Sequence, residues 1–318
     1  MFADLKGQGS TTEYVTAVEN HSAVLVRTYP GDHRKVDGIS NHFTEDVRVT
    51  CRVGSRPSPA DMWEDLLRTE PDILSKSLEE QRETVYSSTK ECNAFNPTYV
   101  KWIVDSLFAG RTDVRMLDPS AGWGDRLIGA LASGKIVEYL GFDPNVRLQD
   151  GYGGIIETFG NRAASCQVIP SAFERIHLRG RIGSYDLVLT SPPYFTAEVY
   201  SEAGQPGHEA QSIVRWPRYE DWTAHMYKPY LKLAWDAVRP GGWAVFYVED
   251  VTVAGQPAAG QRRFPKKLTH YRLRKLTHDF MTSLSGSEPR WFGLKVVSLI
   301  SGGDAGARTR WSLAWKKT

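Results

Sequence analysis

The sequence predicts an α/β fold, an open and mostly parallel sheet covered by helices. Three stretches carry that reading. Tyr185-Asp186-Leu187-Val188-Leu189-Thr190-Ser191-Pro192-Pro193-Tyr194-Phe195 reads as a buried strand, Leu187–Thr190, halted by two prolines that have no N–H to give a ladder. Arg115-Met116-Leu117-Asp118-Pro119-Ser120-Ala121-Gly122-Trp123-Gly124-Asp125-Arg126 reads as a strand (Val114–Leu117), a turn of small residues, and the start of a helix that continues through Leu127–Ala132. Tyr139-Leu140-Gly141-Phe142-Asp143-Pro144-Asn145 is a second strand, with its acid about 20 residues past the turn. Short β-prone runs alternating with helical stretches are the mark of crossover connections and a parallel sheet.

The first ninety residues read as a small α+β extension. Ala23–Tyr29 has strand composition and ends at Pro30-Gly31. Asp46–Val53 alternates with period two, which predicts a half-buried strand. Ser58-Pro59-Ala60-Asp61 opens a helix: serine caps it, proline fits its first position, and aspartate its first turn. Met62, Trp63, Leu66 and Leu67 form its apolar stripe. His42, Phe43, Arg48 and Arg52 are either substrate contacts or ordinary packing of this extension.

Phe95-Asn96-Pro97-Thr98-Tyr99 leads into a helix, Tyr99–Phe108, capped by Asn96 or Thr98. A helix around Val146–Phe159 and a third strand, Cys166–Ile169, follow the acid at Asp143. Thr196–Pro217 is a long polar loop directly behind Ser191–Tyr194, a candidate lid or substrate clamp. Tyr219–Val238 is amphipathic, with Trp222, Met226, Leu231 and Trp235 on its apolar side. Arg239-Pro240-Gly241-Gly242 turns the chain into strand Trp243–Val248. Leu294–Ile300 and Arg310–Trp315 close the sheet as antiparallel neighbours joined through Ser301-Gly302-Gly303-Asp304.

A chain of 318 residues has room for one large α/β domain with additions or two modest ones. Its 41% hydrophobic and 24% charged content is ordinary for a globular protein. A net charge of +2 exerts no global pull on a polyanion, so any basic surface is local. Residues 251–280 supply one: Arg262, Arg263, Lys266, Lys267, Arg272, Arg274 and Lys275 face a single acid, Asp279. That stripe is either a seat for a phosphate backbone or a solvated face. No apolar run is long enough to span a bilayer, and the N-terminus lacks the build of a signal peptide. The expectation is a cytoplasmic protein with no membrane partner. Cys51, Cys92 and Cys166 are odd in number and unclustered, which makes neither a disulfide framework nor a metal site.

Ser191-Pro192-Pro193-Tyr194 offers a hydroxyl, two carbonyls and an aromatic plate on a stiff loop. It stands at the C-terminal end of a strand, where open α/β sheets bind ligands. Such a set suits an amino group on a flat ring. Ser-Pro-Pro-Tyr resembles the signature of S-adenosylmethionine-dependent amino-methyltransferases that act on exocyclic nitrogens of bases. The serine form is most typical of DNA cytosine-N4 enzymes. Asp or Asn in first position is more typical of adenine-N6, RNA guanine-N2 and glutamine enzymes. The Asp118–Gly124 turn resembles the family's glycine loop, and the resemblance extends over about residues 93–316.

The resemblance implies a Rossmann-like, seven-stranded, mostly parallel sheet of class I methyltransferases with an antiparallel C-terminal strand. It places the methyltransferase domain at residues 93–318, behind an N-terminal extension at 1–92 that could read substrate. It implies S-adenosyl-L-methionine as cofactor. Phe95 and Pro97 match the element that lies against its methionine and adenosine; Asp118 would accept from its ammonium; Ser120, Gly122 and Gly124 line the turn. Asp143 would take the ribose diol, and Phe173 would flank the adenine. Ser171 stands where the family often carries an acid for the adenine amino group. In catalysis Ser191 and the Pro192 carbonyl would accept from the target amine, with Pro193 stiffening the loop, Tyr194 stacking on the flipped base and Phe195 supporting the loop from behind. Arg262, Arg263, Lys266, Lys267 and Arg272 would meet nucleic acid, DNA first.

Other classes fit less well. A nicotinamide or flavin fingerprint wants a third small residue where Leu127 stands. Cytosine-C5 methylation needs a cysteine nucleophile, and no cysteine here follows a proline. The stretch from Asp118 to Ser191 is too short to hold a recognition domain. Specificity therefore falls to residues 1–90, the 196–217 loop or the basic segment. That is the layout of a stand-alone modification enzyme of the kind phages and large viruses carry. Adenine-N6, an RNA base amine, a glutamine amide and a binding relic without turnover remain as alternatives.

Overall fold

The computed structural model describes residues 13–14, 24–28, 38–160, 165–178, 180–254, 268–295 and 309–318. The strands in chain order are β1 (Glu13–Tyr14), β2 (Val24–Thr28), β3 (Arg52–Val53), β4 (Val114–Asp118), β5 (Ile136–Phe142), β6 (Ser165–Ile169), β7 (Tyr185–Thr190), β8 (Glu198–Val199), β9 (Val238–Tyr247), β10 (Val251–Ala254), β11 (Leu268–Tyr271), β12 (Arg290–Lys295) and β13 (Thr309–Lys316). Nine of them form one sheet in the order β1-β2-β12-β13-β9-β7-β4-β5-β6. β4, β5, β6, β7 and β9 run parallel, and β13 lies antiparallel between β9 and β12. This is the Rossmann-like, mostly parallel α/β sheet with an antiparallel C-terminal strand expected from the sequence. The N-terminal chain lengthens the sheet, because β2 pairs in parallel with β12 and β1 pairs with β2.

The alternation of side chains along each strand divides the interior in two. Met116, Leu187, Leu189 and Val245 face the helices Pro97–Leu107, Asp125–Ser133 and Gln149–Phe159. Leu117, Val188, Ala244 and Phe246 face the helices Lys228–Ala237 and Leu273–Ser285. Both faces of β7 are buried, which is why Leu187–Thr190 carries no polar alternation.

The local start signals act as expected. Ser58 and Asp61 form a reciprocal capping box on the helix Pro59–Thr69. The Asn96 side chain caps the helix Pro97–Leu107 through Tyr99 N. Gly129, in the helix Asp125–Ser133, lets that helix touch the one before it. A Cβ there would stand 2.3 Å from the Pro97 carbonyl oxygen and 2.6 Å from Val100 Cβ. Gly129→Ala, which in an open helix would gain up to about 1 kcal/mol, is here expected to cost about 1–3 kcal/mol in urea unfolding through overpacking against backbone.

Three expectations are corrected. Asp46–Val53 is not a strand. The chain is helical over Asn41–Arg48, and only Arg52–Val53 is extended. Phe43, Val47 and Cys51 also stand at helical spacing, and the helix seats on Gln149–Phe159 over two glycines. A Cβ on Gly151 would come within 2.5 Å of the Phe43 carbonyl oxygen, and one on Gly154 within 3.0 Å of its ring. Tertiary fit overrides the β preference of valine and threonine. The helix expected over Tyr219–Val238 is interrupted by a π turn at Thr223–Tyr227, just before Pro229. A proline ring collides with the carbonyl one turn back, and a widened turn relieves the collision. The Arg239–Gly242 turn is a bulge within β9: Tyr185 pairs with Val238 and Leu187 with Trp243. The closing strands are antiparallel neighbours as read; the first is described over Arg290–Lys295, and residues 296–308, which hold the rest of its expected span and the Ser301–Asp304 connection, lie outside the described residues. No helix among the described residues is long and apolar enough to cross a membrane.

Candidate active site

β4, β5, β6 and β7 end on one edge of the sheet, and the loops that leave them build the site. β4 and β7 are hydrogen-bonded neighbours, with Leu117 opposite Val188. The Asp118–Gly124 turn and the Ser191–Tyr194 loop therefore start side by side. Tyr230 ties them together: its hydroxyl lies 2.8 Å from Ser120 Oγ and 2.8 Å from Thr190 Oγ1.

The turn is held from below by Asp118, which is fully buried. One carboxylate oxygen accepts from Arg126 Nε at 2.8 Å and from the Tyr139 hydroxyl at 2.8 Å, and the other from Ser120 N at 3.2 Å. Its partners are thus the chain's own groups. Gly122 and Gly124 have φ of +58° and +88°, the left-handed region that glycine enters without strain. Gly124 also lacks the Cβ that would meet Ile155 at 2.4 Å. Residues from the N-terminal region clamp the turn from above. Ser40 Oγ donates to Asp125 Oδ1 at 2.6 Å, and Thr44 Oγ1 donates to the Trp123 carbonyl at 3.1 Å.

Asp143, at the exit of β5, is half-buried. Gly122 N and Asn145 N each donate to it at 2.9 Å, so it shapes both the glycine turn and its own loop. Burial pushes its carboxyl up to about 6 against the pull of those two N–H groups. Asp125 is likewise pushed up to about 6 by burial, against hydrogen bonds from Ser40 and Phe95 N. Both folded values lie above the unfolded one of about 4. Each group therefore stabilises the fold at acid pH, and that contribution is lost as pH rises through about 6. Relative to Asp125→Asn, the wild type is expected to lose stability between about pH 4 and pH 7 in urea unfolding; a pH-independent difference would contradict the assignment.

Beyond Asp143 a cavity of about 360 Å³ is lined by Pro144, Val146, Ser171 and Ala172, with Gly207 and His208 among its other walls. That is large enough for a nucleoside-sized ligand. Two donors near it are buried without a hydrogen-bond partner among the described residues: Asn145 Nδ2, and Nη1 of Arg215, a lining residue 3.6 Å from Glu174 Oε1. Phe173 does not take the place expected beside that ring. It is buried between Phe142 and Tyr230, at 5.3 and 5.5 Å between ring centroids, and Ser171 and Ala172 line the cavity instead.

Phe95 joins the two halves of the site. Its ring lies 5.1 Å beneath the Arg126 guanidinium carbon and 5.4 Å edge-on from Tyr247. Its N–H donates to Asp125 Oδ2 at 3.1 Å. Pro97, buried, occupies the first helical position behind it. Tyr247 in turn receives the tetrapeptide, because the Tyr194 hydroxyl donates to its carbonyl at 3.0 Å. Ser191 Oγ lies 2.8 Å from the same Tyr194 hydroxyl. A phenol has one proton. With that proton given to Tyr247, Ser191 must be the donor to Tyr194, and both lone pairs on Ser191 Oγ are left as acceptors. Pro192 is buried, and Pro193 and Tyr194 are half-buried. Phe195 is buried behind the loop among Tyr219, Trp222 and Tyr271, at φ +50°, the one non-glycine residue with positive φ among those described. A bulky residue held there signals a backbone shaped for the loop.

The candidate lid is pinned. β8 pairs with β3, and Arg52 forms a two-pronged ion pair with Glu202. The Gln211 side chain accepts from Tyr200 N at 2.8 Å and donates to the Ser201 carbonyl at 2.7 Å. Arg52 is thus committed within the protein. Arg48 is buried with Asn41 and Glu91, and Phe43 packs on Phe159; only His42 of the four candidates is exposed. Of the basic stripe, Arg272 is exposed beside the helix Leu273–Ser285, while Arg262, Arg263, Lys266 and Lys267 lie outside the described residues. Sequence reasoning missed Arg126, Tyr139, Tyr230 and Tyr247. Arg126 alone left a signal, as a charge in the first turn of an otherwise apolar helix.

No family model matches the sequence, and no curated protein does. Among solved structures the chain is similar to an S-adenosylmethionine-dependent methyltransferase from Agrobacterium tumefaciens, at 14% identity and a TM-score of 0.43, over 73% of this chain and 65% of that one. It is similar to a tRNA methyltransferase from Aquifex aeolicus at 11% identity and TM-score 0.40, over 71% of each chain. A precorrin-6y methyltransferase from Geobacter metallireducens gives 12% and 0.40, over 69% and 89%. Likeness of this degree carries no argument about substrate, and the strand order stands on its own hydrogen bonds.

Proposed function

We propose that the protein transfers a methyl group from S-adenosyl-L-methionine to an exocyclic amino group of a nucleic-acid base, cytosine N4 in DNA before all others. The observation that carries this reading is the relay from Ser191 through Tyr194 to the Tyr247 carbonyl. An aromatic amine is a poor nucleophile because its lone pair is drawn into the ring. Acceptors that bind its N–H hydrogens make the nitrogen more tetrahedral and return that pair. Ser191 Oγ, with its proton committed to Tyr194, and the Pro192 carbonyl are such acceptors.

The bound cofactor would supply a methyl group activated by its sulfonium. The chain supplies position and electrostatics. Phe95 touches Arg126 of the helix behind the glycine turn and the Tyr247 ring, and Tyr194 of the tetrapeptide bonds the Tyr247 carbonyl; this chain of contacts supports placing donor and acceptor near each other. Asp143 and the cavity beyond it support an adenosine seat. Ser191 in first position supports cytosine N4 over adenine N6. The basic segment supports a polyanionic substrate.

Mass spectrometry of nucleosides, after DNA and RNA have been incubated with labelled cofactor, tests the reading. N4-methylcytosine in DNA is the expected product. Label in adenine or in RNA would move the substrate, and label confined to a protein glutamine would overturn the nucleic-acid assignment. Asp143→Ala is expected to weaken cofactor binding about 10- to 100-fold in calorimetry, the loss that follows removal of a charged hydrogen-bond acceptor. An unchanged affinity would remove Asp143 from the ribose.

A further inference from the structure

Arg126 is 4% exposed, and among the described residues only its Nε has a hydrogen-bond partner, Asp118. Buried donors without partners elsewhere in the protein are sealed from solvent, as at Arg48 Nε and Arg215 Nη1, but neither terminal nitrogen of Arg126 is among these sealed atoms. Both therefore reach open space. For Nη2 that space adjoins the glycine turn: a Cβ built on Gly122 would stand 3.6 Å from Arg126 Nη2 and 3.8 Å from the Ser120 carbonyl oxygen. The guanidinium plane is held over Phe95 on one side and by Asp118 along its Nε edge.

We infer that the free end of the Arg126 guanidinium receives the α-carboxylate of the cofactor's amino acid portion, with Asp118 acting as the group that positions it. The inference rests on the cofactor reading above and assigns a residue within it. Three physical points support it. A guanidinium presents a planar fork that matches a carboxylate with two parallel hydrogen bonds, and here the side edge is taken while the end is not. Donors left unmade in a mostly buried setting are costly, so a ligand acceptor at this point is worth more than at the surface. Burial opposes charge on Arg126, and the Asp118 carboxylate outweighs it, which holds the guanidinium above its ordinary value and keeps it cationic at any working pH. Asp118 shares its oxygen between Arg126 and Tyr139 without filling the fork, so the pair retains a positive end toward the glycine turn.

The test compares ligands that do and do not carry the carboxylate, in titration calorimetry. S-adenosylhomocysteine is expected to bind the wild type about 10- to 100-fold more tightly than its decarboxylated analogue. Arg126→Lys keeps the charge but loses the fork. It is expected to weaken S-adenosylhomocysteine about tenfold and to leave the decarboxylated analogue within about twofold. Equal losses on both ligands, or none on either, would overturn the role of Arg126 while leaving the cofactor reading intact. A wild type that binds neither ligand would overturn both. Should Arg126→Lys fail to fold, side-chain NMR of the wild type with labelled arginine decides: the terminal protons of one buried arginine should sharpen on S-adenosylhomocysteine and not on the decarboxylated analogue. Identical spectra with the two ligands would refute the contact.

Discussion

Ser191→Ala is expected to lower turnover about 100- to 1,000-fold and to leave cofactor affinity unchanged, the usual scale for loss of a preorganised polar group at a reacting centre. The alanine keeps the loop, since both prolines and the Phe195 anchor remain, and removes only the acceptor. Tyr194→Phe probes the same relay from its other end. The ring stays, so the face proposed to stack on a base is kept, but the Tyr247 carbonyl loses its donor and the Ser191 proton its destination. The serine hydroxyl is then free to donate, and an oxygen pointing its proton at an amine repels it. The expected result is a fall in turnover of about tenfold or more with substrate affinity nearly kept. Single-turnover rates with labelled cofactor read both variants. Full activity in Ser191→Ala would show that the amine is activated elsewhere.

Asp118→Ala is expected to destabilise the fold by about 3–5 kcal/mol, the range for breaking a buried ion pair by removing one partner. Arg126 would be left charged and 4% exposed, the Tyr139 hydroxyl would lose its acceptor, and Ser120 N would lose the bond that shapes the turn. Total stabilities are about 5–15 kcal/mol, so this loss brings the protein near its threshold. The sign of the cause can be checked. Asp118→Leu combined with Arg126→Met removes both charges, and it should be less destabilised than Asp118→Ala alone in urea unfolding. If Asp118→Ala costs under about 1 kcal/mol, the guanidinium is finding water, and the description of Arg126 as a mostly buried cation is wrong.

Much of the framework was legible because its signals are local. The strand Leu187–Thr190 and its proline stop, the Ser58 capping box, the Asn96 cap and the small-residue turn each depend on a few adjacent residues and elementary backbone sterics. Spacing gave the place of Asp143 at the exit of its strand, but not its hydrogen bonds from Gly122 N and Asn145 N. The placement of Asp118 was not legible. Its type and position suggested a group facing a ligand, whereas Arg126 and Tyr139 occupy it from within. Phe173 was read as a cofactor contact and packs as core, since an aromatic after a strand gives no sign of which side it will turn to. The stretch Asp46–Val53 satisfies both a period of two and a helical spacing, and the glycine floor at Gly151 and Gly154 decides between them.

By itself, then, the amino-acid order determined the central strands, their flanking helices and which short loops carry acceptors, acids and glycines, but not the ambiguous stretch Asp46–Val53. Those properties are set by backbone geometry and hydrophobic period within about a dozen residues. Tertiary structure alone decided the partners. It chose which acid meets which cation, which way the Ser191 proton points, and that the 196–217 loop is pinned by Arg52 and Gln211 rather than left as a lid. Hydrogen-bond polarity and ion pairing depend on groups far apart in the chain, and only folding brings those groups within about 3 Å of each other.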